Sequence, residues 1–293
     1  MKGIPGPDCP ACLERLAQQA LNGGGLPEAE AATLREDMLA LVRAGLAVGR
    51  SPALIASDFF ALARKRLPEC DPFAAKKAAD FAAARRAAAG LGPLPDCFAD
   101  RARAAVLGNA IDHFFLAHTG ELWGGGDGLR LGIDHLAQAE TRLRPGGRVV
   151  ILADNCGEQS FDRLLVEHLL GRGCTVDYVI KAGPVQNDLC LADLRAAGEE
   201  YGLGRVLDLA PPAVGLDPEA VPAELRERLE AADLVIAKGM GHFETLASAA
   251  GVFGGQDRLG WPLLMLFLAK CDTIAHSLGL KRGQGAALGC GLS

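Results

Sequence analysis

The chain has 293 residues, 49% of them hydrophobic, enough to bury one large core or two modest ones. Its net charge of −6, with Lys and Arg scattered among acids, excludes the clustered basic face that nucleic-acid binding requires. No apolar run is long enough to span a bilayer; the longest, Trp261 to Ala269, has the length of a core helix. Met1 to Pro5 lacks the apolar stretch of a signal peptide. The nine cysteines are odd in number and sit mostly alone in apolar or helical context, which reads as reduced thiols. These features imply a cytoplasmic protein with no membrane or nucleic-acid partner.

The first hundred residues carry no convincing strand. Cys9–Leu21 reads as a helix, stopped by Asn22-Gly23-Gly24-Gly25, and Pro27–Val48 as a second, with Leu34, Met38, Leu41 and Val42 on one face. Ser51–Leu67 is a third, with Ser51 as cap and Pro52 at the first helical position; Asp71–Ala89 is a fourth. Pro95–Thr119 continues helical, and Ile133–Leu143 is a further short helix. The pattern then changes. Arg148–Ala153, rich in β-branched residues and bounded by Pro145-Gly146-Gly147, reads as a buried strand. A polar turn, Asp154–Glu158, leads into a helix with Phe161, Leu164, Leu165, His168 and Leu169 at helical spacing and Ser160 or Asp154 as cap.

Thr175–Lys181 is a second strand, ending in Gly183-Pro184-Val185-Gln186-Asn187-Asp188. A helix over Leu189–Tyr201, a short strand over Arg205–Leu209 and a helix over Pro222–Glu230 follow. Leu234–Lys238 is a third strong strand, Leu263–Lys270 a helix or strand, and Cys271–Leu280 a tail. Alternating strands and helices imply right-handed crossovers: an α/β fold with a three-layer α/β/α arrangement on a mostly parallel sheet. We expect a helical amino-terminal region over 1–100 and an α/β/α domain over 101–293.

Three strands end in complementary polar residues: Asp154 and Asn155, then Asn187 and Asp188, then Lys238 before Gly239. Parallel crossovers bring these ends to one edge, where open α/β sheets bind ligands. Two carboxylates and an amide form an all-oxygen set suited to a hard cation such as Mg²⁺ or Mn²⁺. A nearby lysine and the backbone at Gly239 and Gly241 suit a phosphate beside that cation. Taken singly, each acid reads equally well as a helix cap, and capping is the simpler role for Glu158. Asn109 and Asp112 lie three apart on one helix face, a weak signal alone.

Cys9-Pro10-Ala11-Cys12 fits a redox couple or half a zinc site, but no second pair follows at zinc spacing, so a structural thiol pair is the simpler reading. The six histidines make no metal-ligand spacing, and no G-x-G-x-x-G follows the strand at 148–153. Two other functions stay open: an S-adenosylmethionine-dependent methyltransferase, which also begins with an acid after a strand, and a non-catalytic metal- or thiol-binding protein organised on Cys9 and Cys12.

Asp154-Asn155-x-Gly157-Glu158 resembles the D-N-x-G-E signature of the damage-control phosphatases, long known as a domain of unknown function. The likeness extends through Gly108-Asn109-x-x-Asp112, Gly183-Pro184-Val185-x-Asn187-Asp188, Lys238-Gly239-x-Gly241-x-Phe243-Glu244-Thr245-Leu246 and Lys270-Cys271, and takes in Cys9-x-x-Cys12 and Asp71-Pro72-Phe73. It points to the prokaryote-type branch. The resemblance implies a Rossmann-like metal-dependent phosphatase acting on phosphomonoesters of sugars or damaged metabolites with Mg²⁺, Mn²⁺, Co²⁺ or Ni²⁺. It implies Asp154, Asn155 and Asp188 as catalytic metal ligands, Asn109, Lys238 and Gly239 around the phosphate, and Glu158 and Asp112 in support. His242 stands where the family pattern leads one to expect Asn, and Cys156 and Gln186 also depart from it.

Overall fold

The computed structural model describes residues 5–67, 71–110 and 129–292. Asp112 and the end of the helix expected over Pro95–Thr119 lie outside them.

Three helices open the chain. α1 (Cys9–Asn22) has proline in its first turn, and α2 (Glu28–Ala47) carries Glu28 and Glu30 in its first turn, where the helix dipole favours negative charge. α3 (Pro52–Arg66) ends on Arg64, Lys65 and Arg66, the complementary arrangement. Their apolar faces, including Leu13, Met38, Phe59 and Phe60, close on a core of their own that also takes in Val185. Ser51 does not cap α3. Its hydroxyl donates to the Glu244 carbonyl (3.1 Å), while the Glu244 carboxylate accepts from Ala53 N–H (3.1 Å). α4 (Ala74–Ala89) and α5 (Phe98–Gly108) pack on the sheet through Phe81, Ala84, Phe98 and Val106.

The sheet comprises β1 (Leu131–Asp134), β2 (Arg148–Leu152), β3 (Thr175–Lys181), β4 (Arg205–Ala210), β5 (Leu234–Lys238), β6 (Leu263–Leu268) and β7 (Gly285–Cys290). Between them run α6 (Leu136–Glu140), α7 (Gln159–Gly171), α8 (Leu191–Ala197), α9 (Ala223–Glu230), α10 (Gly239–Leu246) and α11 (Asp272–Ser277). The strand order is β1-β7-β6-β5-β2-β3-β4, parallel except where β7 meets β6. Side chains alternate faces along a strand. Val149 and Ile151 of β2 therefore join Tyr178, Ile236 and Leu266 under α5 and α7, whereas Val150 and Leu152 join Val235, Met265 and Phe267 under α9, α10 and α11. This is the three-layer, mostly parallel α/β fold expected from the alternation of elements.

Two expectations need correction, and one alternative is resolved. The segment from Ile133 to Leu143 is not one helix: β1 takes Ile133 and Asp134, and α6 starts two residues later. The helix or strand expected over Leu263–Lys270 is a strand, β6, buried along its whole length between β5 and β7. The chain also continues past the expected tail into β7, whose sequence Gly-Ala-Ala-Leu-Gly-Cys has little intrinsic strand preference. Small residues are required there by packing. A Cβ at Gly285 would lie 2.9 Å from Leu131 Cδ2 and 3.1 Å from Val106 Cγ1.

β2 pairs with β3 on one side and β5 on the other, so successive connections leave it in opposite directions. That divergence opens a crevice at the carboxyl ends, the place where such sheets bind ligands. Asp154, Lys181 and Lys238 all stand there.

Candidate active site

Two loops are stitched together above the sheet. Asn155 and Asp188 form an isolated antiparallel bridge; Leu189 N–H donates to Asp154 O and Cys156 N–H to Asn187 O, both at 2.8 Å. These backbone bonds set Asp154 and Asn155 beside Asp188. Neither Asp154 nor Ser160 caps α7, and Glu158, at its N-cap position, makes no side-chain cap bond. Its carboxylate turns into the site instead.

Glu158 is the hub. Its Oε1 accepts from Asn109 Nδ2 (2.6 Å) and Asn155 Nδ2 (2.8 Å), and its Oε2 from Lys238 Nζ (2.8 Å). Both amides also reach Asp154 Oδ2, at 3.2 Å from Asn109 and 2.7 Å from Asn155. Asn109 Oδ1 accepts Leu268 N–H (3.1 Å), which ties the end of α5 to the end of β6. Lys238 also donates to Asp162 Oδ1 (2.6 Å), whose other oxygen accepts from Tyr178 Oη (2.8 Å). Asp162, in the stretch Phe161–Leu165 that follows the D-N-x-G-E signature, has no role assigned from sequence, and Tyr178 lies in no motif. The signal available was only their inward facing, Asp162 on α7 and Tyr178 on a buried strand.

Gly239 follows Lys238 at φ +78°, and a Cβ there would fall 1.8 Å from Asp154 Oδ2. Only glycine leaves that carboxylate its place. Asp188 is 2% exposed, and its Oδ2 has no hydrogen-bond partner; Lys181 Nζ stands 3.6 Å away and donates to Gly215 O at 2.6 Å.

The electrostatics follow from burial. Asp154 is pushed well above the usual carboxylate range by burial and by the neighbouring Glu158 and Asp188. Asp188 is raised by burial to about 6, with Lys181 and Lys77 opposing. Burial also acts against Glu158, but Lys238 and Lys270 outweigh it and hold its carboxyl below the ordinary value. Asp154, Glu158, Asp162 and Asp188 are buried there with Lys181 and Lys238, and the buried Lys77 also acts on Asp188.

Asp154, Asn155, Asp188, Asn109, Glu158, Lys238 and Gly239 thus come together. Lys238, expected beside the phosphate, is fully buried and engaged by two carboxylates, Glu158 and Asp162. The half-exposed Lys270, whose charge acts on both Asp154 and Glu158, stands nearer the solvent side. His242 is buried; its Nδ1 bonds to Lys238 O (2.6 Å), and its Nε2 has no partner.

The donor chemistry fits a hard divalent cation. Burial and the neighbouring Glu158 and Asp188 act against charge on Asp154, one Asp188 oxygen makes no hydrogen bond although Lys181 stands 3.6 Å from it, and the donors gathered there are oxygens. Among the described residues no three His, Cys, Asp or Glu side chains form a ready-made cage. Two acids and an amide form a partial set of the kind that leaves positions for water and a substrate phosphate.

The family model of the damage-control phosphatase ARMT1-like domain matches residues 7–285. A damage-control phosphatase of Archaeoglobus fulgidus is 32% identical over 138 residues, 47% of this chain and 45% of that protein. One from Pyrococcus horikoshii is 32% identical over 155 residues, 53% of this chain and 50% of that protein. The chain spans about half the length of these curated relatives. A solved DUF89 family protein from P. horikoshii superposes with a TM-score of 0.80 at 25% identity, covering 97% of this chain and 98% of that one. With the family model running through nearly every described element, this chain belongs to the damage-control phosphatase ARMT1-like domain family.

Proposed function

We propose that the protein hydrolyses phosphomonoesters of small metabolites, sugar phosphates or damaged phosphometabolites, with a divalent cation (Mn²⁺, Mg²⁺, Co²⁺ or Ni²⁺) held by Asp154, Asn155 and Asp188. The observation that carries this reading is the pair Asp154 and Asp188, both buried, the first acted on by the second, with one Asp188 oxygen making no hydrogen bond. When bound, the cation neutralises phosphate oxygens and lowers the pKa of water at the site.

The chain's own residues do the positioning. The Asn155 amide nitrogen is turned toward Asp154 and Glu158, which leaves its Oδ1 as the donor. Glu158, fixed by Lys238, holds both amides, and the backbone at Gly239 lets a phosphate approach Asp154. Lys270 supplies positive charge on the solvent side. Asp154 serves as ligand or nucleophile by the same placement.

A screen of phosphate release from a panel of sugar phosphates and other phosphomonoesters, with each divalent metal in turn, tests the reading. Turnover should require a metal and fall to background with EDTA. Release that is indifferent to chelation would sink the proposal.

A further inference from the structure

Buried lysines end the strands on either side of β2, Lys181 on β3 and Lys238 on β5, and they meet their carboxylates differently. Lys238 hydrogen-bonds Glu158 and Asp162 directly, at 2.8 and 2.6 Å. Lys181 donates instead to a backbone carbonyl, Gly215 O, at 2.6 Å, and its ammonium stands 3.6 Å from Asp188 Oδ2. That is an ion-pair distance, yet it exceeds the roughly 3.2 Å reach of an N–H···O bond. Asp188 Oδ2 accordingly makes no hydrogen bond, and its lone pairs stay open. Lys77, also buried, is engaged by Asp71 at 2.8 Å and Asp193 at 3.0 Å.

The carbonyl that holds the ammonium back is itself fixed. Gly215 has φ +69°, and a Cβ there would lie 2.3 Å from Gly241 O of α10. On either side of it, Leu216 N–H donates to Thr245 Oγ1 (3.1 Å) and Val214 N–H to Ser57 Oγ (3.0 Å). The lysine's main chain is tied beside the acid, since Lys181 N–H donates to Leu189 O at 3.0 Å. Charge is thus brought to Asp188 while the directional bond goes elsewhere.

We propose, resting on the cation site read above, that Lys181 is a stand-in cation for Asp188: its ammonium balances the buried carboxylate until a divalent ion takes over, and it stays on Gly215 O when the ion binds. A buried carboxylate stripped of its counter-charge is costly, so the protein without metal needs the lysine. A bound cation supplies that charge and is repelled by the ammonium, so the lysine also holds metal affinity down.

The test compares wild type with Lys181→Met and Lys181→Gln, each stripped with EDTA and titrated with Mn²⁺ by calorimetry, with Tm measured before and after saturation. Glutamine keeps a donor for Gly215 O and loses the charge. Both variants should bind Mn²⁺ at least ~10-fold more tightly than wild type. Their metal-free Tm should be lower, and saturating Mn²⁺ should raise it by about 3 °C more than in wild type, the equivalent of that tenfold at about 2 °C per kcal/mol. A variant that folds only with Mn²⁺ supports the proposal more strongly still. Unchanged or weaker Mn²⁺ binding in Lys181→Gln, or a Tm deficit that saturating Mn²⁺ leaves in full, overturns it and makes Lys181 a structural residue. Wild-type protein that binds no Mn²⁺ sinks the cation site itself, and this inference with it.

Discussion

Replacing Lys238 by Met keeps the bulk of the side chain and removes its charge. In the wild type that ammonium lies 2.8 Å from Glu158 Oε2 and 2.6 Å from Asp162 Oδ1, and all three side chains are at most 1% exposed. Breaking a buried ion pair by removing one partner costs roughly 3–5 kcal/mol, because the remaining charge is left uncompensated. At about 2 °C per kcal/mol for a chain of this size, Tm should fall by about 6–10 °C. The pH dependence carries the sign. Glu158 is held below its ordinary 4.5, so its contribution is present above that pH and lost as pH falls through its folded value. Lys238 is raised, so its contribution is complete below 10.5 and lost only above. The deficit of Lys238→Met relative to wild type should therefore be largest between these limits and shrink in acid, as the stranded carboxyls protonate. Denaturant unfolding at pH 7 and pH 4 measures it, and Glu158→Gln with Asp162→Asn in the Lys238→Met background should recover much of the loss. A variant within ~1 kcal/mol of wild type at pH 7, well below the expected buried-pair cost, would refute the reasoning.

Gly239→Ala forces a positive φ on a residue with a Cβ, costing about 1–2 kcal/mol, and drives that Cβ into Asp154. Mn²⁺ affinity by calorimetry should drop at least ~10-fold, equivalent to ~1.4 kcal/mol. His242 is held neutral at about 3 instead of 6.5, by burial first and then by the charges of Lys181 and Lys238. An unfolded chain takes up that proton near 6.5, so stability present above pH 6.5 is lost as pH falls toward 3, by at most on the order of 5 kcal/mol. His242→Asn should flatten this acid limb in pH-dependent unfolding; an unchanged slope would clear His242 of the role. Lys270→Ala should raise KM for phosphate esters more than it lowers kcat, and an effect confined to kcat would place Lys270 elsewhere.

The parts of the fold set by local pattern were legible. β3 and β5 have the boundaries that their apolar runs predict, and Pro27, Pro52 and the acidic or basic terminal turns mark α2 and α3. β1 and β7 were not, since one is four residues long and the other is glycine and alanine selected by contact with Leu131 and Val106. The same division runs through the site. Strand-end chemistry singled out Asp154, Asn155, Asp188 and Lys238, and motif resemblance added Asn109 and Glu158. That Lys238 faces two carboxylates depends on Asp162 and Tyr178, whose partners come from different elements and leave no spacing to read. The capping role read for Glu158 fails for a related reason: two long-range donors, Asn109 and Lys238, together with the nearby Asn155, compete with its local backbone and win.

The central claim is that Asp154 and its neighbours hold a cation for phosphomonoester hydrolysis. The most direct test is p-nitrophenyl phosphate turnover by wild type and Asp154→Ala, each stripped with EDTA and resupplied with Mn²⁺, alongside Mn²⁺ binding by calorimetry. Wild type should recover activity with metal, and Asp154→Ala should lose both turnover and high-affinity Mn²⁺ binding while remaining folded. An Asp154→Ala protein that hydrolyses the ester as fast as wild type would contradict the account.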